Sequence, residues 1–347
     1  MRLDGAEGGT GPASVGAKRG GYTPSVTAFG YTMMCEQAAP DRLVADLVKA
    51  EEAGFGFSVI SDHYQPWLAS QGHSPYAWSV LGAAAQATER IGLMTYVTCP
   101  TLRYHPAVVA QKAATMQILS GGRFRLGLGA GENLNEHVVG KRWPTVGVRH
   151  EMLGEAIDII AALFDGHEST NYRGRHFDVE SAKLWDLPDA RVPIGVAVSG
   201  ADSCRLAGER ADVMIAVEPD EQLGEMFDRA GGRGKPRVGQ IAVAYDPDRD
   251  TAVERAHRQF RWFGLGWKVN ADLPNPDAFE GATQFVTAEQ VSQQLACGPS
   301  VEEHVEKIKP FLDAGFDQVA LVQIGGEQQQ QFIEWAQREL LPALRAP

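Results

Sequence analysis

The stretch Gly54-Phe55-Gly56-Phe57-Ser58-Val59-Ile60-Ser61-Asp62-His63-Tyr64-Gln65-Pro66-Trp67 sets a short, mostly apolar run between glycine punctuation and a proline-containing loop. A run of this length reads as a buried strand, Phe57–Ser61, and the groups that follow it then stand at the strand's C-terminal end. Outward from it the same alternation recurs. Val26–Met33 reads as the strand before, joined by a helix from Pro40 to Ala53, and the helix Tyr76–Thr88 leads to a third strand at Ile91–Val97. The helix Pro106–Leu119, the strand Phe124–Leu128 and the helix His150–Phe164 continue the pattern. After a polar excursion come strands at Val192–Val198, Val213–Val217, Val238–Tyr245 and Gln318–Ile324. Helices are expected at Ala201–Glu209, Glu221–Arg229, Asp250–Phe263, Val301–Ala314 and Gln328–Leu344. Short apolar strands alternating with helices specify a parallel sheet covered by helices. Eight such units favour an α/β chain closed into a (β/α)8 TIM barrel. An open dinucleotide-binding sheet would carry Gly-x-Gly-x-x-Gly after its first strand, where this chain reads Met33-Met34-Cys35-Glu36.

The chain of 347 residues fits one barrel domain over 26–347, with an insertion at about 264–300. Residues 1–25 are rich in Gly, Ala and Ser, without the apolar core of a signal peptide, and are expected to be a disordered extension. No apolar run reaches the ~20 residues of a membrane span. The net charge of −12 disfavours nucleic acid and anionic membrane surfaces as partners. Cys35, Cys99, Cys204 and Cys297 lie far apart, which fits a reducing, cytoplasmic setting and no metal site.

In a barrel the chemistry gathers at the C-terminal ends of the strands. Glu36 follows the first strand, and Asp62, His63 and Trp67 follow the second, with His73 beyond them. A lone Asp-His pair more often caps a loop than performs catalysis. Here an imidazole, a carboxylate and an aromatic wall share one strand end, which suits acid/base work on a planar ligand. The fourth strand runs into Gly127-Leu128-Gly129-Ala130-Gly131-Glu132-Asn133-Leu134-Asn135-Glu136. Glycines at every second position allow a ligand to approach the backbone, or alternatively mark a crowded barrel corner. Ser199-Gly200 opens a helix after the fifth strand and offers free N–H groups to a phosphate. Cys204 reads as core, His105 as a helix start, Gln328–Gln331 as a solvated helix start, and Trp262 and Trp267 as packing.

Together these segments resemble the luciferase-like superfamily of flavin and deazaflavin barrels, and most of all its coenzyme F420-dependent glucose-6-phosphate dehydrogenase subgroup. The resemblance is carried by Gly30-Tyr31 with Glu36-Gln37, Ser61–Trp67 with Gly72-His73, Pro100-Thr101 with Arg103-Tyr104, Pro106–Gln111, and Gly129 with Gly131-Glu132 and Leu134-Asn135-Glu136. It runs from about Phe29 to Leu344 and is thin through the insertion. It implies a deazaflavin across the barrel mouth. His63 would then take an alcohol's hydroxyl proton as hydride leaves its carbon, and Glu132 would protonate or hydrogen-bond the ring. Trp67 would brace the site with Glu36 near the substrate. Asp62, Tyr96, Val97, Gly129, Ala130, Gly131, Asn135, Ser199 and Gly200 would hold the cofactor, with a cis peptide at Tyr96-Val97. A small-molecule substrate and a homodimer are implied as well.

The chain departs from that subgroup where basic residues would clamp a phosphate. It reads Val217-Glu218-Pro219-Asp220 at one place and Glu289-Gln290-Val291-Ser292-Gln293-Gln294 at another, with only Lys268 near a third. Carboxylates there would repel a phosphate dianion. The expectation is therefore hydride transfer between an unphosphorylated, bulkier or cationic alcohol, or its carbonyl or imine counterpart, and F420. The alternatives are an FMN-dependent monooxygenase of the same superfamily and a non-catalytic barrel that holds a flavin or substrate as a carrier.

Overall fold

A computed structural model describes residues 27–166 and 168–346. The extension at 1–25 and the first residue of the expected opening strand, Val26, lie outside them. The strands in chain order are β1 (Ala28–Met33), β2 (Phe57–Ile60), β3 (Gly92–Thr95), β4 (Phe124–Leu128), β5 (Thr170–Arg173), β6 (Asp178–Ala182), β7 (Ile194–Ala197), β8 (Val213–Ala216), β9 (Arg237–Ala244), β10 (Ala296–Cys297) and β11 (Gln318–Gln323). The ring β11-β1-β2-β3-β4-β7-β8-β9 is parallel throughout and closes by pairing of β9 with β11. It is the closed (β/α)8 barrel. The polar excursion is an antiparallel hairpin of β5 and β6 outside the ring.

Side-chain alternation sorts the strands into layers. Phe57 and Val59 of β2 point into the barrel, where they meet Met94, Tyr96, Val213, Ile215, Val238 and Ala320. Fully burying a side chain of this size contributes ~1.5–3 kcal/mol over leaving it exposed. A larger shell, including Phe29, Leu81, Phe124 and Ile160, lies between strands and helices. A third cluster, with Trp67, Trp262 and Phe279, lies under the insertion.

Three segments differ from their sequence-based expectation. The expected helix Asp250–Phe263 is a helix over Arg249–Phe260 followed by a 3-10 turn, Arg261–Leu265, which ends at Gly266 with φ 77°. The final helix runs Gln329–Trp335, widens to a π turn over Ala336–Leu340, and resumes at Leu341–Arg345. Pro342 lacks the N–H that would bond one turn back, which accounts for the widened turn before it. The glutamine run is only partly solvated. Gln329 is buried, accepts from the Tyr31 hydroxyl at 2.7 Å and donates to the carbonyls of Gln323 and Gly325. The insertion contains helices Trp267–Asn270, Pro276–Ala282 and Ala288–Gln294, and its last residues form β10, which extends the sheet along Val243–Ala244 of β9. Cys204 is fully buried, and His105 caps its helix by accepting from the Ala107 N–H. Among the described residues, no helix is long and apolar enough to cross a membrane.

Candidate active site

Phe57 and Val59 face inward, so the next residue in phase, Ser61, faces the barrel mouth. Its hydroxyl donates to Glu36 Oε2 at 2.9 Å. Glu36 sits in a 3-10 turn, Cys35–Gln37, directly after β1, the strand paired with β2. Its other oxygen lies 2.5 Å from His63 Nδ1. Glu36 is 1% and His63 7% exposed, so this is a buried charge pair. The contact is close but not in line, for Nδ1 has no acceptor along its N–H direction. Burial lifts the Glu36 carboxyl and depresses the His63 imidazole, yet their mutual attraction outweighs it on both sides. Glu36 is held below the usual carboxylate value and His63 above the usual imidazole value. The Glu132 charge adds to the rise on His63, and Arg103 opposes it. Among the described residues nothing bonds His63 Nε2, which leaves that nitrogen open.

Asp62 turns the other way. Its carboxylate accepts from Trp78 Nε1 at 3.0 Å, Thr98 Oγ1 at 2.8 Å and the Tyr104 hydroxyl at 3.2 Å, and faces Arg103 Nη2 at 3.3 Å. All of its bonding capacity is therefore committed to protein groups. Arg103 also donates from Nη2 to the Asp62 carbonyl, and its Nε lies 3.3 Å from Glu136 Oε1. The Arg103 main-chain N–H donates to Glu136 Oε2 at 2.9 Å. Burial pushes the Glu136 carboxyl up, with Arg103 pulling against it. One guanidinium thus ties the β2 loop to the β4 loop.

Glu132 precedes the short helix Asn133–Glu136 and is half-buried, and Asn135 Nδ2 donates to its Oε2 at 3.4 Å. The Asn135 carbonyl oxygen accepts from the main-chain N–H groups of Tyr64 at 2.8 Å and Gln65 at 3.2 Å, so Asn135 anchors the loop that bears His63. Trp67, 4% exposed, meets His63 edge-to-face at 5.0 Å and stacks on Trp262 at 4.1 Å with 9° between planes. Phe279 packs against it at 5.2 Å, and Gln71 Oε1 accepts from its main-chain N–H at 2.9 Å. Trp67 thus packs directly against the His63 ring.

The peptide Tyr96-Val97 is cis. The Tyr96 side chain runs down the barrel interior and donates to the Ala216 carbonyl at 2.8 Å. The glycines after β4 answer to packing. A Cβ on Gly127 would overlap the Thr95 carbonyl, one on Gly129 would overlap the Val97 side chain, and Gly131, at φ 83°, lies against Cys99 Sγ. Ala130 packs on the core shell. Ser199 and Gly200 lie at the end of β7, three places round the ring from β2. Their N–H groups donate to Ser203 Oγ at 3.0 and 3.2 Å, so the helix start is already bonded internally. The structure therefore brings Glu36, His63, Trp67, Glu132 and Asn135 together and sets Asp62 behind them.

The sequence reading left Arg103, Glu136, Gln71 and Trp78 without roles. The first two stood in the matched segments as charges at strand ends, a usable signal. Trp78 looks like any apolar residue of its helix, Ala77–Ala87.

A family model for luciferase-like monooxygenases matches residues 21–318. The F420-dependent glucose-6-phosphate dehydrogenase of Microbacterium testaceum is 35% identical over 91% of this chain and 97% of that protein. The protein of the same name from Beutenbergia cavernae is 36% identical over 92% and 97%. Among solved structures, an F420-dependent secondary alcohol dehydrogenase in complex with an F420-acetone adduct superposes with a TM-score of 0.84 at 28% identity, covering 92% of this chain and 100% of that one. The coenzyme F420-dependent tetrahydromethanopterin reductase of Methanopyrus kandleri shares the fold, with a TM-score of 0.72 at 21% identity over 92% and 100%. The chain belongs to the luciferase-like monooxygenase family, beside the F420-dependent glucose-6-phosphate dehydrogenases within it.

Proposed function

We propose that this protein is a coenzyme F420-dependent oxidoreductase that moves a hydride between an unphosphorylated alcohol, or its carbonyl or imine counterpart, and the deazaflavin. The observation that carries the reading is the buried Glu36–His63 pair, with Nε2 open among the described residues and the Glu132 charge acting on the imidazole. The residues fit the cofactor, for Glu132 is half-buried and among the described residues its carboxylate holds only a long 3.4 Å bond from Asn135, which leaves it available to a ring. Coenzyme F420, when bound, supplies the hydride-accepting carbon. His63 Nε2 takes the hydroxyl proton as the carbinol hydride departs, and Glu36 at Nδ1 stabilises the imidazolium that results. Glu132 would hydrogen-bond the ring or supply the proton that the reduced ring takes up. Trp67, under Trp262 and Phe279, keeps water from the pair. A homodimer belongs to the same reading on the resemblance alone, and a cytoplasmic setting on the cysteine spacing and the absence of a long apolar run in the sequence.

The substrate follows from charge. Glu36, Asp62 and Glu136 are buried and Glu132 half-buried, against the cations Arg103 and His63. After β8 the turn exposes Glu218 and Asp220, and the helix Ala288–Gln294 carries no basic residue. A phosphate dianion meets net repulsion there, whereas a neutral or cationic alcohol does not. The test is a fluorescence titration of the purified protein with oxidised F420 and separately with FMN, followed by bleaching of the deazaflavin band. Micromolar F420 binding, with bleaching by simple alcohols and none by glucose 6-phosphate, is expected. Bleaching by glucose 6-phosphate would overturn the substrate assignment, and preference for FMN would favour a monooxygenase.

A further inference from the structure

We propose that residues 261–283 form a strap across the barrel mouth that positions both proton-handling side chains, with Trp262 acting on His63 through Trp67 and Asp272 acting on the loop that carries Glu132. The chemical consequence rests on the function proposed above, whereas the positioning itself does not.

The strap is closed at its base. Arg261 reaches back to Glu280 and donates from Nε to Thr283 Oγ1 at 3.1 Å. Just ahead of it, the end of the helix Arg249–Phe260 is tied to the β2 loop. Ser70 Oγ donates to the Arg258 carbonyl at 2.9 Å, and Gln71 Nε2 to the Gln259 carbonyl at 3.1 Å. The same Gln71 holds the Trp67 N–H. Trp262 then lies flat on Trp67, which meets His63 in a T-shaped contact. Trp262 Nε1 is buried and has no hydrogen-bond partner among the described residues, so shape registers the two indoles.

At its other end the strap clasps the β4 loop. The Asn133 N–H, next to Glu132, donates to the Ala271 carbonyl at 2.9 Å, and Asn133 Nδ2 to the Asp272 carbonyl at 3.0 Å. Trp143 Nε1 donates to Asp272 Oδ1 at 2.9 Å, and Arg149 Nη1 reaches the same oxygen at 3.4 Å while lying over the Trp143 ring. Arg149 is 6% exposed, and among the described residues its Nε has no hydrogen-bond partner and Asp272 is the carboxylate it is paired with. The His63 loop and the Glu132 loop are thus held from one segment, and the spacing of their side chains depends on its length and fit.

The test uses the full chain without cofactor. The His63 imidazole is titrated by NMR, its signal assigned by loss in the His63→Asn variant, and amide hydrogen exchange is read at Asn133. Trp262→Ala admits water to the Glu36–His63 pair and weakens it. The His63 pKa then falls toward the ordinary value of ~6.5, with exchange at Asn133 unchanged. Asp272→Ala speeds exchange at Asn133 by about tenfold or more and leaves the His63 titration in place. Trp262→Phe and Asp272→Asn restore most of each property, and Trp262→Leu replaces the alanine variant if that one fails to fold. Folded variants in which neither readout moves would overturn the strap. In turnover with F420, both variants lower kcat while cofactor affinity holds. If the unaltered protein shows no F420 turnover, the proposed function fails while titration and exchange still decide the strap.

Discussion

Replacing His63 by Asn lowers the rate of alcohol oxidation by about 10²–10⁴-fold while F420 affinity stays within a few-fold, because the step that loses its base is proton removal and not binding. The pH dependence makes the assignment specific. The His63 imidazole is buried and paired with Glu36, and the attraction holds its pKa above the usual ~6.5. The base is the neutral form, so the oxidation rate climbs as pH rises through that elevated value. The same pair contributes stability in a window of its own. The part due to His63, whose folded pKa is raised, is fully present below ~6.5 and is lost as pH rises through the folded value. The part due to Glu36, whose folded pKa is lowered, is fully present above ~4.3 and is lost as pH falls through the folded value. The enzyme therefore gains its base over the range where the pair gives up stability. In Glu36→Gln the attraction is gone and burial, the largest remaining influence, takes the imidazole below ~6.5. The rising limb of the oxidation profile then moves to lower pH, with a lower plateau from the weaker base. An unmoved profile in Glu36→Gln would show that another group titrates.

The barrel was legible because Phe57–Ile60, Phe124–Leu128 and Gln318–Gln323 are buried almost throughout and so read as short, mostly apolar runs. β10 is two residues long, and a pairing that short leaves no periodicity to find. Gln329 is invisible for a different reason. A glutamine reads as solvated until the Tyr31 hydroxyl and two carbonyls are seen to satisfy it. Glu36, His63 and Glu132 could be named from their places at strand ends, since that is where a barrel presents chemistry. The glycines after β4 fit both readings open in the sequence, and close approach of β3 to β4 accounts for Gly127 and Gly129 without a ligand. Asp62 is the instructive case. It neighbours His63 in sequence, but strand alternation sends its carboxylate away from the imidazole toward Trp78, Thr98, Tyr104 and Arg103. Partners drawn from different strand ends and helices cannot be read from one local motif.

Arg103→Met destabilises the protein by ~3–5 kcal/mol at neutral pH, the cost of removing one partner from a buried ionic cluster. The Arg103 side chain is 8% exposed and lies between two carboxylates that are wholly buried. Methionine fills the space of the stem but leaves both charges without a cation. Asp62 keeps its three neutral donors, from Trp78, Thr98 and Tyr104. Glu136 keeps the main-chain N–H of residue 103 alone, so it bears most of the loss. Without Arg103, burial and the neighbouring carboxylates raise the Glu136 carboxyl further above its unfolded value. The folded variant then binds more protons than the unfolded chain, and the deficit in denaturation midpoint shrinks as pH is lowered from 7 toward 5. Combining Arg103→Met with Asp62→Asn and Glu136→Gln removes every charge of the cluster and recovers much of the loss, because neutral amides tolerate burial where stranded carboxylates do not. Urea denaturation at pH 7 and pH 5 measures both effects. A deficit that does not change with pH would mean that Arg103 acts through packing on Tyr104, 4.7 Å from its guanidinium, and not through charge. The distinction matters for the site because Asn135 and Glu136 share one short helix with Glu132 at its entrance, and Asn135 holds the loop that bears His63. If Arg103 works through charge, pH-dependent loosening of Glu136 reaches Glu132 and the His63 loop together.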